Sequence, residues 1–251
     1  MFLLQNSTDY PLCIYTSKLS KYKTPREFEL TKILNLPNVY IESDKALPFI
    51  LKLRLARILR MRLLNIQMIS DDNFERVYLS KFKGTQIYAD GYFIESISQE
   101  IFDEILNEVS ARLKPMIRDS VVTDVCVIHI RGGDFLELGW DLPNIKKFYS
   151  DAIKAVLQRE PSIKFEIISD DPTYAQRLIS QLDIKFDFVG KDLVTDFRCL
   201  INAKFAILSN STFGFWAGAL RSSREEQPTT WMPRLWRPGH PRLLKLKTEQ
   251  W

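Results

Sequence analysis

The feature that most constrains this chain is a change of hydrophobic period near residue 120. Over residues 99–117 apolar side chains recur at Ile101, Ile105, Val109, Leu113 and Met116, intervals of three or four that mark one face of an amphipathic helix. The run that follows, residues 121–130 (VVTDVCVIHI), is continuous and β-branched, the pattern of a strand buried on both faces of a parallel sheet. Runs of this kind return at 164–169 (KFEIIS), 184–189 (IKFDFV) and 204–209 (KFAILS), separated by helix-length segments at 143–159, 172–182 and 193–203, with another at 212–221. Such alternation predicts an α/β fold with a Rossmann-like parallel sheet and crossover helices over residues 121–251. Ligands of such sheets bind at the carboxyl ends of the strands.

Residues 1–120 read as a second, less regular α/β lobe. Strands are expected near 12–15 and 39–41, with helices around 26–34 and 47–64. A chain of 251 residues has room for two lobes of roughly 120 residues, each able to bury a core.

Composition removes several function classes. The 35 Lys and Arg against 31 Asp and Glu leave a net charge of +4 with no basic tail, too little for a dedicated nucleic-acid binder. The three cysteines, Cys13, Cys126 and Cys199, lie far apart without C-x-x-C spacing, so neither a zinc knuckle nor a disulfide framework is expected. The opening residues have no positive region followed by a long apolar run, unlike a signal peptide. A cytoplasmic protein with reduced thiols is the expectation.

Three strand ends carry candidate chemistry. His129-Ile-Arg131-Gly-Gly-Asp134 follows the strongest strand. Strand alternation puts His129 and Arg131 on one side, and the guanidinium of Arg131 is a planar fork suited to phosphate oxygens. The plain alternative is an Arg131–Asp134 ion pair with His129 in the core. Ser209-Asn210-Ser211-Thr212-Phe213 ends another strand and opens an apolar helix. Ser211 or Thr212 can cap it, and the free amides of its first turn favour an anion; simple capping remains the other reading. Ser169-Asp170-Asp171-Pro172 ends a third strand, where the carboxylates either orient a ribose or base or cap the helix that Pro172 begins. No Asp-x-Asp triplet or neighbouring histidine accompanies them, and no metal is expected.

Together the three strand ends describe a nucleotide diphosphate pocket. Neither G-x-G-x-x-G nor G-x-x-x-x-G-K-[ST] is present, and there is no G-x-S-x-G. Dinucleotide oxidoreductases, P-loop NTPases and serine hydrolases are disfavoured.

In order and spacing, the His129-x-Arg131-x-Gly-Asp134 segment, Ser169-Asp170-Asp171 and the run from Asp196 through Ser209 to Trp216 resemble the bacterial α-1,2-fucosyltransferase family. Thr16-Ser17, residues 26–30 (REFEL) and Gly91-Tyr92-Phe93 are also similar to its landmarks. The resemblance implies a GT-B-like two-lobed glycosyltransferase, with 1–120 as the acceptor-side lobe and 121–251 as the nucleotide-sugar domain. It implies transfer of L-fucose from GDP-fucose to a galactose-type hydroxyl of a surface polysaccharide such as O-antigen, with inversion and no metal or other cofactor. By the same resemblance Arg131 binds the β-phosphate, Ser211, Thr212 and Phe213 complete the diphosphate site, Ser209 and Asn210 are substrate-binding, and Asp170, Asp171 or Asp196 helps hold the nucleotide. His129 would shape the pocket and Asp134 would brace Arg131.

Two departures bear on this. The family usually has a second Arg where this chain has Gly132, and it commonly opens with a Gly-Gly-Leu-Gly-Asn-Gln-Met-Phe segment, whereas this chain begins at Met1-Phe2. A shortened N-terminal lobe is therefore expected. The alternatives are a relative that only binds nucleotide or serves a structural role, and the same architecture using another nucleotide sugar.

Residues 47–66 (LPFILKLRLARILRMRLLNI) place Lys52, Arg54, Arg57, Arg60 and Arg62 among leucines and isoleucines. Such a basic amphipathic helix either packs between lobes or rests on an anionic membrane surface, here the inner face.

Overall fold

The computed structural model describes residues 12–15, 29–35, 39–42, 66–70, 86–90, 97–118, 121–180, 182, 184–225, 228–241, 244–246 and 248–250. The chain divides into two compact units, Met1–Phe28 with Leu36–Val109 and Glu29–Asn35 with Ser110–Trp251. In the first, β1 (Leu12–Tyr15) pairs in parallel with β2 (Val39–Glu42), and β3 (Ile66–Ser70) with β4 (Gln86–Asp90). The last two strands were not foreseen. The expected helix at 47–64 and residues 26–28 lie outside the described residues.

The short helix α1 (Leu30–Ile33) belongs to the second unit. The helix expected over 99–117 is broken. Helix α2 (Gln99–Arg112) stops where Pro115 begins α3 (Pro115–Arg118), since a proline inside a helix lacks the N–H and clashes with the preceding turn. Between them Leu113 forms an antiparallel bridge with Leu34. Asn35 N–H donates to Arg112 O at 2.8 Å and Lys114 N–H to Ile33 O at 3.0 Å.

From residue 121 the observed order is β5 (Thr123–Ile130), α4 (Asp134–Glu137), α5 (Ile145–Arg159), β6 (Lys164–Ser169), α6 (Pro172–Ile179), β7 (Phe186–Phe188), α7 (Leu193–Asn202), β8 (Ala203–Ile207) and α8 (Thr212–Ser222). The hairpin β10 (Leu235–Arg237) with β11 (His240–Pro241) follows β9 (Thr230–Met232), and β12 (Glu249–Gln250) ends the chain. The fold is α/β. Its six-stranded sheet has the order β12-β9-β8-β5-β6-β7, with every pairing parallel. Counted from β5 this is the doubly wound arrangement 3-2-1-4-5-6, whose order reverses between β5 and β8.

Alternation along β5 assigns its faces. Cys126, Ile128 and Ile130 join Phe148, Ala152 and Val156 of α5 and Ala175 and Ile179 of α6 in one buried cluster. Val127 and His129 project to the other face, where His129 meets α8 through Phe213. Each Ile, Val or Phe side chain so buried contributes roughly 1.5–3 kcal/mol.

Beneath the sheet, Arg221 of α8 is fully buried. It donates to the carbonyls of Leu200, Ile201, Ala203 and Thr229 and to Thr230 Oγ1. This cation ties the end of α7 and the starts of β8 and β9 to one side chain. Burial draws its pKa down to about 9, still charged at neutral pH.

Candidate active site

Strand register aligns the three motifs. His129 is level with Ile168 and Ile130 with Ser169, so Arg131 leaves its strand beside Asp170. Ile128 is level with Ile207 on the opposite side, which brings Ser209 next to His129.

Arg131 Nη2 pairs with Asp134 Oδ1 at 2.5 Å and Nη1 with Asp170 Oδ2 at 2.9 Å. Its guanidinium carbon lies 5.2 Å from the centroid of Phe135. The Arg131–Asp134 pair that the spacing allowed is thus present, and Asp170 adds a second carboxylate. The other oxygen of Asp170 accepts from Gly132 N–H at 2.9 Å. At Gly133 φ is +44° and a Cβ would sit 2.6 Å from Asp170 Oδ2, so this turn requires glycine.

His129 is buried, and its Nδ1 lies 3.0 Å from Ser209 Oγ. Ser209 Oγ–H donates to Ser211 Oγ at 3.1 Å, so His129 is the donor to Ser209 and its Nε2 is the unprotonated nitrogen. Tyr149 O–H donates to the backbone carbonyl of His129 at 2.9 Å. Burial, helped by the charge of Arg131, lowers the His129 pKa to about 3. The ring is neutral at physiological pH.

Ser211 caps α8, its Oγ accepting from Gly214 N–H at 3.0 Å. Among the described residues the N–H groups of Thr212 and Phe213 have no protein acceptor. Thr212 is exposed, and the ring of Phe213 packs on His129 at 5.4 Å and Phe197 at 5.3 Å. A helix start of this kind offers two amides and the positive end of its dipole to an anion.

The remaining expected residues are placed differently. Asn210 spends Nδ2 on the carbonyls of Trp140 at 3.0 Å and Trp236 at 2.7 Å, which makes it a clamp between the turn at Trp140 and β10. Asp171 caps α6 by accepting from Tyr174 N–H at 2.9 Å. Asp196, in the first turn of α7, accepts from Lys191 N–H at 2.9 Å, and burial raises its pKa. Two groups therefore stand together across the β5–β8 reversal: Arg131 with Asp134 and Asp170, and His129 with Ser209, Ser211 and Phe213. Sequence reasoning missed Tyr149, Trp140, Trp236 and Arg237. A signal existed in the tryptophans of Leu138-Gly139-Trp140 and Trp236-Arg237-Pro238-Gly239, large apolar residues in turn-forming segments.

The model of glycosyl transferase family 11 matches residues 26–226. The chain belongs to glycosyl transferase family 11. As a glycosyltransferase it acts on a nucleotide sugar and a glycan acceptor. It is similar to the Escherichia coli alpha-1,2-colitosyltransferase, with 24% identity over 232 residues, 82% of this chain and 77% of that protein. A solved structure, E. coli heptosyltransferase WaaC with ADP, aligns with a TM-score of 0.42 at 12% identity over 99% of this chain and 88% of that one. Doubly wound sheets as a class receive their ligands where the strand order reverses, which here falls between β5 and β8. Among the described residues no helix is long and apolar enough to cross a membrane.

Proposed function

We propose that this glycosyltransferase moves L-fucose from GDP-fucose to a galactose-type hydroxyl of a surface polysaccharide or related glycan, forming an α-1,2 linkage with inversion and without a metal. The observation that carries the reading is that Arg131, paired with Asp170, and the Ser209–Phe213 segment, joined to His129, lie at the ends of adjacent strands where the strand order reverses. As the acceptor hydroxyl gives up its proton to a base or water and its oxygen bonds to the anomeric carbon, the bond to the diphosphate breaks and negative charge gathers on the departing group. A fixed guanidinium and free helix amides offset that charge without reorganising.

In this reading Arg131 gives up a carboxylate contact for the β-phosphate, Ser211, Thr212 and Phe213 complete the diphosphate site, and Asp134 braces Arg131. His129, neutral and buried, holds Ser209 and hence the cap of α8. Asp196 contacts the nucleotide. The two-lobed GT-B-like arrangement, with 1–120 on the acceptor side, belongs to the same proposal. So does a peripheral contact of residues 47–66 with anionic lipid at the inner membrane face, which liposome flotation tests.

A second reading keeps the α-1,2 linkage and changes the donor. It is favoured by the similarity to a protein named for transfer of colitose. The purified chain, assayed with GDP-fucose and a panel of other nucleotide sugars in EDTA, distinguishes the two by product mass and linkage. Transfer from GDP-fucose supports the first; transfer only from another donor supports the second. No transfer, together with no shift in Tm on adding GDP, removes both.

A further inference from the structure

Three buried nitrogens at this end of the sheet lack a hydrogen-bond partner among the described residues: Arg131 Nε, Trp236 Nε1 and Arg237 Nε. All three are donors. A buried donor without an acceptor is destabilising, and folded proteins leave few of them. One connected set of residues gathers these three. Asn210 ties Trp140 to Trp236 through their carbonyls. The guanidinium carbon of Arg131 lies 5.2 Å from the Phe135 centroid, Phe135 lies 5.3 Å from Trp140, and the Arg237 guanidinium carbon lies 6.0 Å from the Trp140 ring. An excess of donors calls for a ligand rich in acceptor oxygens.

Charge leads to the same place. Arg131 already faces both Asp134 and Asp170. A diphosphate adds more negative charge, which Arg131 alone does not offset. Position 132 offers no room for another cation: a Cβ on Gly132 would lie 2.8 Å from Asp171 Cβ and 3.0 Å from Tyr174 Cδ1. Arg237 faces no carboxylate among the described residues. The side-chain polar atom recorded beside it is His240 Nδ1, 3.5 Å from its Nη2.

We propose that Arg237, resting on the Trp140 ring, is a second cation of the donor diphosphate site. The inference builds on the nucleotide-sugar reading above and deepens it. Asn210 then links β10, which bears the second cation, to the strand end that caps α8. The Trp140 face holds the guanidinium in place by cation–π contact.

Binding measured by calorimetry tests this with GDP, inorganic pyrophosphate and guanosine, on the wild type and on Arg237→Gln. The variant is expected to bind GDP and pyrophosphate about tenfold or more weakly, with guanosine unchanged. Equal affinity for GDP in both proteins overturns the role of Arg237 and leaves the GDP reading standing. Binding of pyrophosphate or another nucleoside diphosphate but not GDP, with the same loss in the variant, overturns the guanine assignment and supports Arg237. A wild type that binds no diphosphate overturns both. Should the variant misfold, phenylglyoxal footprinting of the wild type decides: GDP or pyrophosphate protects Arg237, and modification at an unchanged rate under saturating ligand overturns the proposal.

Discussion

Asp170 holds Arg131 with one carboxylate oxygen and the backbone N–H of Gly132 with the other, both at 2.9 Å. A phosphate arriving at Arg131 must compete with that carboxylate. Asp170→Asn retains an oxygen for Gly132 N–H and removes the charge. Pyrophosphate should therefore inhibit the variant roughly two- to fivefold more strongly than the wild type. Steady-state inhibition constants check this; equal constants mean that Asp170 does not compete for Arg131.

Arg131→Ala removes the charge nearest the proposed leaving group. A fall in kcat/KM of about a hundred- to a thousandfold is expected, with the circular dichroism spectrum unchanged. Arg131→Lys should recover little of it, because the ammonium cannot form the paired contacts of the guanidinium. Turnover of the Ala variant at the wild-type rate would refute the assignment.

The neutral His129 makes stability fall in acid. Its folded pKa of about 3 lies below the ordinary 6.5, so the unfolded chain takes up a proton that the folded chain refuses. That contribution is complete above pH 6.5 and is lost as pH falls towards 3, by about 1.4 kcal/mol per unit. Between pH 7.5 and pH 5 the wild type should lose about 2 kcal/mol more than His129→Asn. Urea midpoints at the two pH values measure the difference, and identical acid sensitivity would count against a neutral buried ring.

Close approach makes Gly214 irreplaceable. A Cβ there would lie 2.8 Å from the backbone oxygen of Ser209 and 3.2 Å from His129 Nδ1, and neither can retreat without disturbing the cap of α8. Gly214→Ala should lower stability by roughly 1–3 kcal/mol and weaken GDP binding. Thermal melts with and without GDP report both effects.

Arg221→Met strips the carbonyls of Leu200, Ile201, Ala203 and Thr229 of their shared donor. A loss of about 3–5 kcal/mol is expected. Urea denaturation measures it, and a loss under about 1 kcal/mol would mean that water replaces the guanidinium.

The legible parts of the fold were those with a long period. Strand β6 stands at residues 164–169, where an unbroken apolar run between polar flanks leaves few alternatives. Strands β9 and β12, three and two residues long, are too short to carry a period. At the site, Arg131, His129 and Ser211 were visible because each sits at the end of a readable strand. Asp171 shows where residue type ran out: an Asp before Pro suits a ribose or a helix cap equally, and the cap became visible only through the 2.9 Å contact with Tyr174 N–H. Trp140, Trp236 and Arg237 lie outside any strand or helix long enough to show a period, and their meeting depends on Asn210, a tertiary contact across 70 and 26 residues of sequence.

That clamp has a consequence for engineering. Because one amide group is shared between the Trp140 turn and β10 at Trp236, neither can be redesigned alone: substitutions in the two should be strongly non-additive. Searches for altered donor preference are better run on paired libraries than on single-segment ones.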